Sequence, residues 1–208
     1  MTSIFVTFEG IDYSGKSLQS KLLCDRLQSE QRAVMLLRDP GATRISEKIR
    51  SLLLDKALDE MSAVTELLLY EAARSQMVAQ LIRPALESGR TVVCDRFYDS
   101  TTAYQGFARG LDLGLVQSAN CIGSCGLVPG HTFLLDLEPA VALARNKISG
   151  READRIEQEG LAFQSRVREG YLQTAAMEPD RFTVLDAQAK PEVLHQAIWS
   201  VFIKKFGE

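Results

Sequence analysis

Apolar residues along the chain fall into two kinds of pattern. Short, dense runs at 4–8, 33–37, 91–94, 132–137 and 182–185 have strand length, and their continuity suits strands buried on both faces. Longer segments with helical spacing lie between and after them, at 17–30, 45–54, 63–86, 139–145 and 191–206. Within 17–30, Leu18, Lys21, Leu22, Asp25 and Leu27 set out an amphipathic order. Strand then helix, repeated, predicts an α/β fold: an open five-stranded parallel sheet with right-handed crossovers and helices on both faces. Ligands of such sheets bind outside the carboxyl ends of the strands.

No internal repeat and no Pro/Gly/Ser-rich linker interrupts this alternation, so a single domain over 1–208 is expected. The charged segment 147–160, which contains SGREADRIEQEG, and the tail 204–208 are the places where order is expected to be weakest. The longest stretch without Asp, Glu, Lys or Arg, 113–135, is broken by glycines, Pro129 and polar residues and predicts no membrane span. The start, MTSIFVTFEG, lacks the basic and apolar regions of a secretory signal, which leaves a cytoplasmic location as the expectation.

Composition narrows the partners. Twenty-four Lys and Arg against 27 Asp and Glu give a net charge of -3, which argues against a chain held to nucleic acid by bulk positive charge. Cys24, Cys94, Cys121 and Cys125 are too dispersed for a disulfide scaffold. Cys121 and Cys125 have no second Cys or His pair to complete a zinc site, and both are expected to be packing residues.

Chemistry enters immediately after the first strand. Gly10-Ile11-Asp12-Tyr13-Ser14-Gly15-Lys16-Ser17 matches G-x-x-x-x-G-K-[ST], with an apolar strand before it and a helix, opening near Leu18, after it. Such a loop turns successive backbone N–H groups into one concavity at a helix N-terminus, a ready site for the phosphates of a nucleoside triphosphate. Lys16 would reach the β and γ phosphates, and the Ser17 hydroxyl would bind Mg²⁺. The loop says nothing about what is done with the nucleotide, since kinases, switches and motors share it.

The third strand ends in Cys94-Asp95-Arg96, which sets a carboxylate where it can orient the shell of a Mg²⁺ ion. A guanine-reading N-K-x-D is absent, Asn146-Lys147-Ile148-Ser149 being the nearest text, and so is L-S-G-G-Q. A kinase for an already phosphorylated acceptor needs several arginines from different segments to offset the repulsion of two polyanions. Arg38, Arg50, Arg74, Arg96, Arg145, Arg151 and Arg155 are candidates. Two other readings stay open on these residues: a kinase for a nucleoside or another monophosphate, and a nucleotide-dependent binding switch.

Six ordered blocks together resemble bacterial thymidylate kinase, a P-loop nucleoside monophosphate kinase family: FEGIDYSGKS at 8–17, RDPGATRISEKIRSLLL at 38–54, LLLYEAARSQ at 67–76, DRFYDSTTAYQGFARGL at 95–111, GLVPGHTFLLDLEPAVALAR at 126–145 and DRIEQEGLAFQSRVREGYL at 154–172. The resemblance implies phosphorylation of dTMP by ATP with Mg²⁺ at Ser17 and Asp95, and a homodimer. It further implies that Arg50 and Arg96 hold the acceptor phosphate, Tyr70 stacks on thymine, and Arg74 and Gln105 read the base edge. Tyr104 would lie by the sugar and Asp12 near the 3'-hydroxyl or the metal, with Arg38, Pro40, Ser100 and Thr101 completing the acceptor site. Arg145 would lie near adenine, and a mobile lid at about 146–160 would cover ATP.

The chain departs from the usual pattern of that family at several positions. Asp39 and Ala42 stand where Glu and Gly are common, Tyr70 where Phe is, and Met77 where His is. The P-loop carries Tyr13 and no arginine, so an arginine acting on the transferring phosphoryl is expected from the lid, Arg155 first and Arg151 second. His131 and His195 fall outside the chemistry and are expected to pack or lie at the surface.

Overall fold

Each of the five apolar runs becomes a parallel strand in the computed structural model, which describes residues 4–150 and 154–207. The strands are β1 (Phe5–Glu9), β2 (Val34–Arg38), β3 (Thr91–Asp95), β4 (His131–Asp136) and β5 (Phe182–Asp186), in the order β2-β3-β1-β4-β5. Burial follows that order. The inner strands β1 and β3 are buried at every position, whereas the edge strands β2 and β5 alternate with exposed residues. Register aligns Phe8 with Asp95 on one side and with Phe133 on the other, so the β1 and β3 ends open side by side.

Nine α-helices flank the sheet among the described residues: α1 (Lys16–Ser29), α2 (Arg44–Leu54), α3 (Ala63–Met77), α4 (Arg83–Glu87), α5 (Tyr98–Thr101), α6 (Leu113–Gly123), α7 (Pro139–Ser149), α8 (Gly160–Met177) and α9 (Pro191–Phe206). Local chemistry explains several starts. Thr43, Ser62 and Asp112 accept the backbone N–H of Ser46, Thr65 and Leu115, and Pro139 and Pro191 sit where a missing N–H costs nothing. The stretch expected as one helix at 63–86 is α3 and α4 joined by a π-helical turn at Val78–Ile82. A second π-helical turn, Thr102–Ala108, continues α5.

The larger core cluster joins Val6, Phe8, Phe133 and Leu135 of the sheet to Leu23 and Leu27 of α1, Val167 and Tyr171 of α8, and Ile198 and Phe202 of α9. A smaller one packs Phe5, Val92 and Cys94 against Met77, Val78 and Ile82, which accounts for an apolar residue at position 77. The inward face of α1 differs from the expected order. It carries Lys16, Gln19, Ser20, Leu23, Cys24 and Leu27, while Leu18 is exposed, because the helix is rotated to aim its first turn at the strand ends. Gly123 lets α6 approach α3: a Cβ there would fall 1.8 Å from the Glu71 carboxylate.

Two expectations are corrected. Cys121 and Cys125 are exposed rather than packed, because α6 turns that edge outward and ends at Ser124 with Cys125 in a left-handed conformation. The tail is ordered as helix to Phe206, whose ring joins the larger core cluster. Within 147–160, where order was expected to be weakest, residues 151–153 lie outside those described, and Asp154–Glu159 is held by Arg155 and by an Arg109–Glu159 ion pair. No described helix is long and apolar enough to cross a membrane.

Candidate active site

The P-loop leaves β1 at Gly10 and enters α1 at Lys16. Gly10 has φ 139°, and a Cβ there would meet the Leu135 carbonyl oxygen at 2.4 Å, so only glycine lets the loop pass β4. Gly15, at φ 95°, starts α1 without a side-chain cap. The first N–H groups of that helix therefore carry no side-chain acceptor and face the cleft with the positive end of the helix dipole. Lys16 folds back on the loop, its Nζ donating to the Ile11 carbonyl at 2.8 Å. Burial, aided by the Arg96 guanidinium, pushes its amine down to about 8.

At the end of β3 the Asp95 carboxylate accepts from the Ser17 hydroxyl at 2.5 Å. Arg96 follows in the left-handed region, φ 70°, anchored by its N–H to the Phe8 carbonyl at 2.9 Å. Its Nη1 donates to Gly10 O, Tyr171 Oη and Ser100 Oγ at 2.9, 3.0 and 3.1 Å, and its Nη2 to Asp12 at 2.6 Å and Tyr104 Oη at 3.3 Å. Burial would raise the Asp12 carboxyl, but Arg96 and Lys16 outweigh it and hold Asp12 below the usual range. Burial raises Glu9, and the nearby Asp99 adds to this, so that its carboxyl is pushed up to about 7.

Two clefts meet at this arginine. One is lined by Tyr13, Gly15, Lys16 and Ser17 of the P-loop, by Leu18 of α1, and by Arg38 and Asp95. The other is an open cleft lined by Pro40, Leu54, Tyr70, Arg74, Ser100, Thr101, Tyr104 and Gln105. Asp12, Asp39, Arg50 and Arg96 belong to both. Burial and the neighbouring Arg38 lower Arg50, the signature of cations crowded where an anion would relieve them.

The second cleft has a charged floor. Arg74, 1 % exposed, donates Nε to Asp39 at 2.6 Å, Nη1 to Glu71 and Nη2 to Thr101 Oγ1 at 2.8 Å. Burial opposes its charge, but Asp39 and Glu71 overcome that and hold the guanidinium above its ordinary range. Thus the shorter Asp39 is still long enough to clamp Arg74, next to a cis Asp39–Pro40 peptide. Tyr70 is half-buried with its ring on the cleft, and its hydroxyl forms no hydrogen bond among the described residues.

Two arginines are tied into the fold by internal partners. Arg155 donates Nε to the Leu53 carbonyl at 2.9 Å and Nη2 to Glu66 at 2.6 Å, a buried pairing that ties the root of the lid to α2 and α3 instead of directing it at the P-loop. Glu66 also takes Gln105 Nε2 at 2.8 Å and Arg109 twice at 3.1 Å. Arg145 spans the Tyr13 and Ala187 carbonyls at 2.9 and 2.8 Å, stapling the P-loop to the turn after β5. Arg151 lies outside the described residues. Glu9, Glu66 and Tyr171 escaped the sequence reading. A carboxylate ending an apolar strand, and the 163, 167, 171 spacing that faces Tyr171 inward, were the available signals.

The thymidylate kinase family model matches residues 8–198. The chain belongs to the thymidylate kinase family. Among thymidylate kinases, it is 47 % identical to that of Solidesulfovibrio magneticus over 204 residues, covering 95 % of this chain and 98 % of the relative. It is 46 % identical to that of Chlorobaculum tepidum over 205 residues, covering 95 % of each. The crystal structure of thymidylate kinase from Ehrlichia chaffeensis superposes with a TM-score of 0.80 at 32 % identity, covering 97 % of this chain and 99 % of that one. The doubly flanked five-stranded parallel sheet expected from the sequence is therefore the sheet of this family. Both clefts lie at the carboxyl end of that sheet, where an open α/β fold binds its ligands.

Proposed function

We propose that the chain transfers the γ-phosphoryl group of ATP to dTMP, giving ADP and dTDP for dTTP synthesis. The observation that carries this reading is the meeting of a P-loop cleft and a second cleft lined by Tyr70, Arg74 and Gln105 at one group of residues, Asp12, Asp39, Arg50 and Arg96. Two anionic substrates could lie there end to end, with guanidinium groups offsetting their repulsion.

The acceptor is a phosphate oxygen, anionic at neutral pH, so no general base is required. Catalysis is then positioning plus charge stabilisation. Lys16, whose amine is pushed down to about 8, becomes more fully charged as a triphosphate approaches. Arg96 and Arg50 hold the acceptor phosphate, Tyr70 takes the flat face of the base, and Arg74 and Gln105 meet its edge. Arg74 commits one N–H to each of three internal partners, leaving two of its five N–H bonds for ligand or water. Gln105 commits an amide hydrogen to Glu66, which fixes the orientation of its amide.

Ser17 Oγ and the Asp95 carboxylate are hard oxygen donors side by side, and they fit a Mg²⁺ ion that takes few protein ligands and completes its shell with phosphates and water. Bound by Ser17 and Asp95, Mg²⁺ would supply neutralisation of phosphate charge. Arg155 acts as the anchor of the lid in this arrangement, which leaves Arg151 as the lid arginine for the phosphoryl group.

The same reading takes 1–208 as one kinase domain, working in the cytoplasm, where its four cysteines stay free thiols. It also takes the chain as a homodimer, supported by Val64 and Leu68, exposed one turn apart on α3, and Ile122 on α6. The test is ADP release from ATP with each nucleoside monophosphate and with thymidine in turn. Turnover with dTMP well above the others supports the proposal; a preference for thymidine or another monophosphate, or hydrolysis that dTMP does not increase, overturns it.

A further inference from the structure

Glu9 is wholly buried at the last position of β1, directly before the P-loop. Its carboxylate accepts three donors: the Phe97 N–H at 2.7 Å, the Ser100 hydroxyl at 2.6 Å and the Tyr171 hydroxyl at 2.8 Å. Arg96 Nη1 approaches the same two hydroxyl oxygens, at 3.1 and 3.0 Å. Each hydroxyl owns one proton. The two hydroxyl oxygens also lie 2.8 Å from each other, so their two protons are shared among three contacts; when both point to Glu9, both oxygens turn lone pairs to the guanidinium, and Arg96 Nη1 has three acceptors counting Gly10 O.

Glu9 also holds the backbone on which Arg96 stands. Arg96 sits at φ 70°, a conformation a non-glycine residue keeps only where its neighbours hold it, and the Phe97 N–H just beyond is fastened to Glu9. One buried carboxylate thus governs both the main chain after Arg96 and the hydroxyl pair beneath its side chain. We propose that Glu9, acting through Ser100 and Tyr171, is a positioning residue that fixes the Arg96 guanidinium for the phosphate of the acceptor. This rests on the reading above, in which Arg96 grips that phosphate.

Glu9→Gln keeps the shape and removes the logic. The amide has two N–H groups of its own, and the Phe97 N–H already claims its oxygen, so both hydroxyls must turn to accept from the amide; the 2.8 Å bond between Ser100 Oγ and Tyr171 Oη takes up one of their two protons, and the other is sent toward Arg96. The guanidinium loses an acceptor that was ordered for it. Tyr171→Phe deletes one of the two hydroxyls outright and serves as the second variant should Glu9→Gln not fold.

The measurement is calorimetric affinity for dTMP and for thymidine, which share base and sugar and differ in the phosphate. We expect each variant to bind dTMP about tenfold more weakly, a change the size of one charge-assisted hydrogen bond, and thymidine within twofold of the parent. Equal weakening of both ligands would mean a general structural defect and overturns the proposal, as does an unchanged dTMP affinity. Arg96→Ala separates the two levels. If it leaves the preference for dTMP over thymidine intact, the phosphate reading of Arg96 falls and the role of Glu9 with it. If it abolishes the preference while Glu9→Gln and Tyr171→Phe preserve it, only the positioning role falls.

Discussion

Replacing Arg74 by Met tests whether the floor of the acceptor cleft is held by charge. The guanidinium is 1 % exposed and is shared by two carboxylates, Asp39 at 2.6 Å and Glu71, whose own side chains are 1 % and 6 % exposed. Met fills most of the volume but leaves both carboxylates buried without a counter-charge. Breaking one buried pair costs about 3–5 kcal/mol, and two carboxylates losing one cation places Arg74→Met at about 5 kcal/mol, a large share of the roughly 5–15 kcal/mol of an ordinary domain. Urea unfolding at about pH 7.5, followed by far-UV circular dichroism, reads this directly. A triple variant carrying Asp39→Asn and Glu71→Gln as well should recover most of the loss, because neutral amides need no cation.

The pH dependence gives a second arm. Burial already raises both Asp39 and Glu71. Without Arg74 they rise further, so the folded variant takes up protons that the unfolded chain does not. Its stability then grows relative to the parent as pH falls. A loss under about 1 kcal/mol near neutrality, or a deficit that widens in acid, would refute the claim that Arg74 is the counter-charge of this floor.

Ala42→Gly should raise stability by about 1 kcal/mol, read as a higher Tm, because Ala42 sits at φ 68° where a Cβ is costly; a lower Tm would contradict this. Glu66→Gln weakens the hold of Arg155 and Arg109 and should speed proteolytic cleavage within 146–160 several-fold, whereas an unchanged rate would show that Glu66 does not restrain the lid. His131 is buried, and burial with the nearby Lys205 and Arg181 pushes its imidazole down to about 4, so it stays neutral while the unfolded chain protonates from about pH 6.5. Its contribution to stability is whole above that pH and is lost as pH falls toward 4. His131→Asn should therefore flatten the loss between those limits by up to about 1.4 kcal/mol per pH unit, and equal slopes in the two proteins would remove His131 from the account.

The strands and the P-loop were legible because their signals are local. A run such as Phe5–Glu9 is apolar throughout and the glycines after it need no distant partner to be understood. The segments 98–108, which lines the second cleft, and 160–177, which sets Tyr171 against Arg96, were visible only as family text, not as helices. Thr102–Ala108 winds as a π-helical turn, and α8 mixes its inward Phe163, Val167 and Tyr171 with charged outward positions. Arg155 shows the limit most clearly. Its charge and place in the lid pointed to a phosphate, but its partner Glu66 lies 89 residues away, and only folding brings the two together. Glu9 was hidden for the converse reason: its neighbours in sequence explain nothing about it, and its donors come from α5, α8 and the turn after β3.

The carboxylate of Glu66 has a consequence for how such a chain can vary over generations. It serves an amide from the base cleft, a cation from the turn after the second π-helical segment, and a cation from the lid. A lone replacement at any of these four positions strands at least one buried donor or acceptor, so inherited change here is expected in matched sets. Homologues that alter Glu66 should carry compensating residues at 105, 109 and 155, which makes the quartet a marker for how lineages of this enzyme diverged.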